Sequence, residues 1–262
     1  MKILDKIKSM LYIILIFINL FLILYFKKKE IKSFFFKKKI SVKTVDFIHP
    51  IFKTESNVLN FPTKNHITNF FVIPSGSNIK GMTSDLEAWI LSMMSKISNN
   101  IFEFGTCSGK TTYLFALNSP NNARINTITI KNDENLKLYK GESKSAYRNI
   151  YSESKYDKFM FTDTEVAKKI NVRFINSLKL DETEFINKCD LIFIDGGHTY
   201  SIVKNDSEKA FKMVCKKGFI FWHDYVIGKR SAKDVVKYLH EISKHKKLNS
   251  IKGTSLVYFK NE

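Results

Sequence analysis

The stretch Ile101-Phe-Glu-Phe-Gly-Thr-Cys-Ser-Gly-Lys-Thr-Thr112 constrains this chain more than any other. An apolar run of strand character enters a tight loop with two glycines, and the loop leads into a helix. Gly105 permits the sharp turn, and Gly109 lets backbone come close to a ligand. In an open α/β sheet, ligands bind at the carboxyl ends of the strands, where strand order reverses. Two phosphate-binding patterns come near this loop and miss. A nucleoside-triphosphate loop reads GxxxxGK[ST]. Gly109-Lys110-Thr111 supplies its end, but only three residues separate Gly105 from Gly109, and Phe104 stands where the first glycine belongs. A nucleotide hydrolase, with Asp195 as its magnesium-side aspartate, stays open as a minor alternative. A dinucleotide loop needs GxGxxG, and Cys107 takes the place of its second glycine.

From Gly81 onward, strand and helix patterns alternate. Asp85 to Ile97 has helical spacing in Leu86, Ile90, Met93, Met94 and Ile97, with Ser84 and Glu87 as a capping box. Strands are expected at Ile101–Phe104, Ile125–Ile130, Val172–Ile175, Leu191–Ile194 and Phe219–Trp222. Helices are expected at Lys110–Leu117, Ile202–Val214 and Ala232–Ser243. This alternation predicts a parallel sheet with helices on both faces. Leu248–Phe259 holds two apolar runs around Lys252-Gly253 and suits a closing antiparallel hairpin. Residues 132–170 are polar and read as an insertion near the site.

Glu103-x-Gly105-x-x-x-Gly109 resembles the first motif of class I S-adenosylmethionine-dependent methyltransferases. Asp190-Leu-Ile-Phe-Ile-Asp-Gly-Gly-His-Thr-Tyr200, then Asp206, Ala210 and Gly218-Phe-Ile-Phe-Trp-His-Asp-Tyr225, resembles one branch of that family, as does Ile251-Lys-Gly-Thr-Ser-Leu-Val257. The resemblance covers roughly residues 81–262 and implies a Rossmann-like sheet. It places Glu103 near the methionine amino group of the cofactor. Gly105, Thr106, Gly109 and Thr111 would pack beside that cofactor, with Asp195 near its methionine part. Two positions depart from the family. Thr129 stands where an acid usually binds the ribose hydroxyls, with Asp133 the nearest carboxylate. Asn176-Ser177 replaces an acid–serine pair near the adenine. These departures leave a non-catalytic binding protein of the same fold as an alternative.

Asp195 and His198 follow one strand, and His223 and Asp224 end the next. Methyl transfer needs an aligned acceptor and a route for its proton. His198 is the candidate general base, since an imidazole titrates near neutrality. Alternatively Asp195, His223 and Asp224 hold Mg²⁺ or Mn²⁺, which acidifies the acceptor hydroxyl. Asp195 and Asp224 look similar in position to the metal ligands of catechol O-methyltransferase-like enzymes. Plainer roles compete: His198 beside the helix cap at Thr199, and His223 as a satisfied core ring. Trp222 reads as core, and His240 and His245 as an exposed helix end.

Met10–Phe26 carries no charge and is apolar all round. A bilayer core takes about 20 apolar residues, with a lower limit near 17, so the run suits a single transmembrane anchor within residues 1–30. Lysines, not a small-residue cleavage site, follow it. Residues 31–80 read as a basic juxtamembrane segment, then a linker or cap. The heavier positive flank, from Lys27 to Lys39, predicts a cytoplasmic catalytic domain lying against anionic lipid. The formal net charge of +18 fits that surface. Lysines are scattered and no RNA-recognition or zinc-finger pattern occurs, so nucleic acid is not the expected partner. Cys107, Cys189 and Cys215 form no CxxC pair, which argues against zinc and against a disulfide framework. The expected acceptor is a small hydroxylated or glycan-type molecule, and a lipid-linked sugar would account for the anchor.

Overall fold

The computed structural model describes residues 16, 17, 19, 42–45, 68–71, 83–131, 134 and 136–262. The chain separates into residues 1–40 and residues 41–262. Of the first unit only Ile16, Phe17 and Asn19 are described, and they are helical. The expected anchor thus lies almost wholly outside the described residues. Among those residues no helix is long and apolar enough to cross a membrane. Asp133 also lies outside them.

In the second unit one sheet of eight strands carries the fold. The strands are β1 (Lys43–Val45), β2 (Asn100–Phe104), β3 (Arg124–Thr129), β4 (Ile170–Phe174), β5 (Cys189–Ile194), β6 (Val214–Trp222), β7 (Asn249–Ile251) and β8 (Val257–Lys260), in spatial order β1-β7-β8-β6-β5-β2-β3-β4. β2 pairs in parallel with β3 and β5, and β6 pairs in parallel with β5. β8 runs antiparallel to both β6 and β7, which is the expected closing hairpin. Strand order reverses at β2, so the crevice between the ends of β2 and β5 is where this topology opens a ligand site.

The helices are α1 (Asp85–Ser95), α2 (Lys110–Asn118), α3 (Lys144–Glu153), α4 (Tyr200–Met213) and α5 (Lys233–Ile242). Strand side chains alternate between faces. Ile101, Leu191, Phe193 and Phe221 pack with Ile90, Leu91 and Met94 of α1 and Phe115 of α2. Phe102, Ile192, Ile220 and Trp222 pack with Val203 and Met213 of α4 and Val235 and Leu239 of α5. Helices therefore cover both faces. Trp222 is core, as its sequence context suggested, and its Nε1 donates to Ser207 Oγ at 2.9 Å.

Two elements were not foreseen. β1 adds an edge strand from within the stretch read as linker, parallel to β7, with Thr44 and Ser250 hydroxyls 2.8 Å apart. α3 rises from the polar insertion. It buries only Ala146 and Ile150, too narrow a stripe to show a helical period, and Ser143 caps it by accepting from Ala146 N.

Candidate active site

Backbone geometry builds the crevice. Gly105 has φ +103°, and a Cβ there would stand 2.4 Å from the Asp195 carbonyl oxygen. The ends of β2 and β5 approach too closely for any other residue. Gly105 N donates to Ile128 O, and Asp195 N donates to Phe104 O, so β3, β2 and β5 end in register. The resulting cleft, about 490 Å³ with its open mouth, is lined by Gly105, Cys107, Thr129, Ser177 and Asp195 to Gly197. Ile150, Glu153 and Ser154 of the α3 region close it, so the polar insertion does border the site.

The charge of this lining selects its ligand. Among the described residues, Glu153, Asp195 and Asp206 border the cleft and no lysine or arginine does. A ligand with an ammonium and a sulfonium fits such a lining, and a triphosphate does not. Lys110, the lysine of the incomplete phosphate pattern, donates to Thr83 O instead.

Gly105, Thr129, Ser177 and Asp195 line the cleft as expected. The other expected cofactor residues do not, and each has a local reason. Glu103 points to the face that α2 covers and is 1% exposed. Its Oε2 accepts from the hydroxyls of Thr127, at 2.6 Å, and of Thr112. Burial outweighs those bonds and pushes its carboxyl up to about 8. Thr106 Oγ1 lies 2.7 Å from Thr127 Oγ1, inside the same buried group. Gly109 caps α2 at φ +79°, packed against the Phe161 ring. Thr111 is buried 3.3 Å from the Thr83 hydroxyl. Asn176 turns its carbonyl oxygen to Leu178 N, at 2.9 Å, and caps a short helical turn. The glycine loop thus acts mainly by setting backbone shape.

Asp206 is a cleft residue to which sequence reading gave no role. It is 1% exposed and accepts from Asn205 Nδ2 at 2.9 Å. Burial, only partly offset by bonds from Ser177 and Asn205, pushes its carboxyl up to about 6. Its spacing within an amphipathic helix gives no cue that this turn faces the cleft.

Beyond Asp195 lies the charged cluster. His198 Nε2 is 3.5 Å from Asp195 Oδ1 and 3.4 Å from Asp224 Oδ2. His223 Nδ1 is 3.0 Å from Asp195 Oδ1 and 3.7 Å from Asp224 Oδ2. Both ring nitrogens are buried and neither forms a hydrogen bond. Their proximity to carboxylates is charge contact without donor alignment. Lys229 Nζ reaches Asp224 Oδ1 at 3.0 Å. Asp224 adopts φ +58°, a strained conformation outside glycine that accumulates at functional sites. Burial disfavours charge on Asp224, but His223, His198 and Lys229 hold its carboxyl well below the usual carboxylate range. Asp195 is lowered too, with the two imidazoles overcoming burial. The rings move oppositely: burial opposes their charge, yet Asp195 and Asp224 raise both His198 and His223.

The donor set fits a divalent cation. Asp195, His198 and Asp224 bring three donor atoms within 4.8 Å of one another, and the His223 ring lies against the same carboxylates. The nitrogen–oxygen separations run from 3.0 to 3.7 Å. His198 belongs to this set beside the expected Asp195, His223 and Asp224. Of the expected ligands, Asp195 and Asp224 share that three-residue group with His198, and His223 stands outside it. His198 is therefore not a cap. Thr199 holds the cap position of α4 without a side-chain bond, and Glu142 Oε1 accepts from Ser201 N. His240 is held by Tyr225, Oη to Nε2 2.9 Å, rather than lying free at a helix end.

Residues 102–225 match the sequence model of a family described as a methyltransferase domain. The matched segment is similar to a methyltransferase domain and runs from β2 through the His223-Asp224 pair. No curated protein matches it. Among solved structures it is similar to the O-methyltransferase TomG from Streptomyces achromogenes, involved in tomaymycin synthesis and bound to S-adenosylmethionine. That likeness has 13% identity, covers 68% of this chain and 81% of that one, and gives a TM-score of 0.48. An O-methyltransferase from Bacillus cereus bound to S-adenosylhomocysteine is similar at 17% identity, over 71% of this chain and 84% of that one, with a TM-score of 0.48. The methyltransferase PaMTH1 from Podospora anserina is similar at 12% identity, over 69% and 79%, with a TM-score of 0.48.

Proposed function

We propose that this protein transfers the methyl group of S-adenosylmethionine to a hydroxyl of a small, sugar-like acceptor at the cytoplasmic face of a membrane. The carrying observation is the pair of buried ring nitrogens without partners, His198 Nε2 and His223 Nδ1, beside Asp195 and Asp224 at the end of the cleft. Buried polar atoms are otherwise almost always satisfied, so this pair awaits a reactant, a proton or an ion.

The acceptor oxygen attacks the methyl carbon in line with sulfur. The O–C bond forms, the C–S bond breaks, and the sulfonium becomes the neutral thioether S-adenosylhomocysteine. The hydroxyl proton passes to His198 Nε2 in its neutral form, and Asp195 and Asp224 stabilise the resulting imidazolium. Asp195 borders both cleft and cluster and so aligns methyl donor with acceptor. The spacing of the donors favours a second route for the same transfer. In it Asp195, His198, His223 and Asp224 hold a divalent ion, whose chemistry would be to acidify the acceptor hydroxyl. Of Mg²⁺ and Mn²⁺, two imidazoles among four donors favour Mn²⁺.

For the membrane, the support is the uncharged run Met10–Phe26 and the lysines from Lys27 to Lys39. A single-pass anchor would hold the enzyme beside a lipid-linked acceptor. The test incubates the full chain in mixed micelles with methyl-labelled S-adenosylmethionine and a panel of free and lipid-linked hydroxylated acceptors, with and without chelator. Label in a methyl ether supports the proposal, and its loss on chelation selects the metal route. Cofactor binding without transfer to any acceptor would favour a non-catalytic binding protein. Protease mapping, with the lysines moved to the N-terminal flank, tests the orientation.

A further inference from the structure

The central strands carry a second cavity at their amino ends, the opposite end of the sheet from the cleft. It has about 1150 Å³ with its open mouth, and Asn100, Arg124, Ile170 and Cys189, the first residues of β2 to β5, all lie on its wall. Phe104, on the cleft wall, stands four residues further along β2, about 13 Å away at the rise of a strand. Register makes this end of the sheet polar. Asn100 is level with Arg124, Asn126 with Phe102 and Asn171, and Arg173 with Ile128. Alternation then sends Asn100, Arg124, Asn126, Asn171 and Arg173 to the face on which Phe102, Phe104 and Ile128 meet their core. Asn171 Nδ2 donates to Asn126 Oδ1 at 3.0 Å, which leaves the Asn126 amide nitrogen as a further donor.

Charge on this wall is one-sided. Arg124, Lys168, Lys169, Arg173 and Lys188 line it, against one carboxylate among the described residues, Glu184. The whole chain has 43 basic and 25 acidic residues, so its general basicity does not account for five against one. The sequence holds only four arginines, and two of them are here. Glu184 is paired with Arg173, and Lys188 Nζ donates to the Glu184 carbonyl oxygen at 2.8 Å. Lys169 Nζ is spent on the carbonyls of Ala116 and Ser119, and burial, then the charge of Lys168, lowers its ammonium from the ordinary value. Arg124, Lys168 and Lys188 thus have no balancing carboxylate on the wall. A guanidinium fork matches phosphate oxygens in pairs, and a phosphate monoester brings nearly two charges and three acceptor oxygens. We propose that this cavity binds a phosphate group, with Arg124 as its main ligand and Lys168, Lys188 and the Asn126 amide around it. A lipid headgroup and free pyrophosphate present the same chemistry. A nucleic-acid strand needs aromatic platforms for its bases, and the one ring on this wall, Phe185, is 7% exposed and already packed by Phe102 and Arg173. The site takes nothing from the methyl-transfer chemistry.

The test is calorimetry of the full chain in zwitterionic micelles, titrated with inorganic pyrophosphate and, separately, with a short-chain phosphatidic acid. Saturable binding of one anion per chain is expected. Arg124→Ala removes an exposed side chain at the start of β3, and is expected to weaken binding about 10- to 100-fold, as the loss of a charge-assisted contact does. Glu184→Gln, which frees Arg173, is expected to tighten it. Arg148→Ala removes the same charge from exposed α3, outside the cavity, and is expected to change nothing. Binding of S-adenosylmethionine is expected to be the same with and without pyrophosphate. Phosphatidic acid that competes with pyrophosphate would support a lipid headgroup as the source, and pyrophosphate binding alone a free phosphate. No saturable binding of either anion would overturn the proposal. So would equal weakening by Arg124→Ala and Arg148→Ala, since that is diffuse surface charge. A single-stranded oligonucleotide that binds more tightly than pyrophosphate and is lost in Arg124→Ala would overturn it in favour of nucleic acid.

Discussion

Two buried glutamates, Glu103 on β2 and Glu87 at the start of α1, are in opposite electrical states. Glu103, behind β2, meets only the hydroxyls of Thr112 and Thr127, and burial pushes its carboxyl up to about 8. Glu87, at the start of α1, meets two backbone amides, a serine hydroxyl and an imidazole, and stays ionised. Hydroxyls can turn to suit either protonation state of a carboxyl, so they do not force charge upon it. Backbone amides, which can only donate, do. The contrast separates an acid enclosed by the fold alone from one that also touches the charged cluster. Glu103, first in the family-like motif, is sealed behind the strand. Glu87, which reads as a routine helix cap, reaches the reactive cluster.

The largest expected effect falls on Asp195, the carboxylate shared by cleft and cluster. Asp195→Asn removes the charge facing both imidazoles while keeping the side chain's size. kcat is expected to fall about 10²- to 10⁴-fold, measured by transfer of labelled methyl. Loss confined to KM would mean that Asp195 only binds cofactor. Gly105→Ala comes next. A Cβ 2.4 Å from the Asp195 carbonyl, added at φ +103°, must push β2 and β5 apart. A loss of about 2–4 kcal/mol in unfolding free energy is expected, together with loss of cofactor binding in calorimetry.

The glutamate contrast itself is open to a pH test. The carboxyl of Glu103 is raised from 4.5 to about 8 in the folded state, so the native protein holds a proton that the unfolded chain releases. Its contribution to stability is fully present below pH 4.5 and is lost as pH rises through about 8. Glu103→Gln is expected to flatten the fall in melting temperature across that window. An unchanged slope would mean that Glu103 is ionised and the contrast with Glu87 fails. The smallest effect is expected at Thr129. Thr129→Asp puts a carboxylate on the cleft wall where the family usually carries one, and should tighten cofactor binding about tenfold, close to one charge-assisted hydrogen bond.

The sheet was largely legible in the sequence because its strands are buried on both faces. Phe102 and Phe104 alternate with Ile101 against two separate cores, and runs such as Leu191–Ile194 admit little but a central parallel strand. β1 was not legible, since three residues with an exposed face carry no pattern. α3 was hidden for a similar reason. It buries two side chains, and its Ser143 cap is held by Asp234 from α5, at 2.7 Å, a contact that no local rule reveals. For the site, the residues that end strands β5 and β6 were readable because strand ends converge in this topology. Of the β2-loop residues expected beside the cofactor, Gly105 lines the cleft. Thr106, Gly109 and Thr111 shape the backbone from behind, and only the direction of each side chain shows it. Glu87 was concealed by its own capping box, which explained one of its bonds and none of the other three.

The central claim is that the cleft between β2 and β5 takes S-adenosylmethionine, and calorimetry of the full chain in micelles tests it most directly, with ATP as the control. Micromolar binding of S-adenosylmethionine with none of ATP is the predicted result, in keeping with a cleft bordered by three carboxylates and, among the described residues, by no lysine or arginine. Tight binding of ATP, or no binding of S-adenosylmethionine by a protein with a normal melting transition, would contradict it.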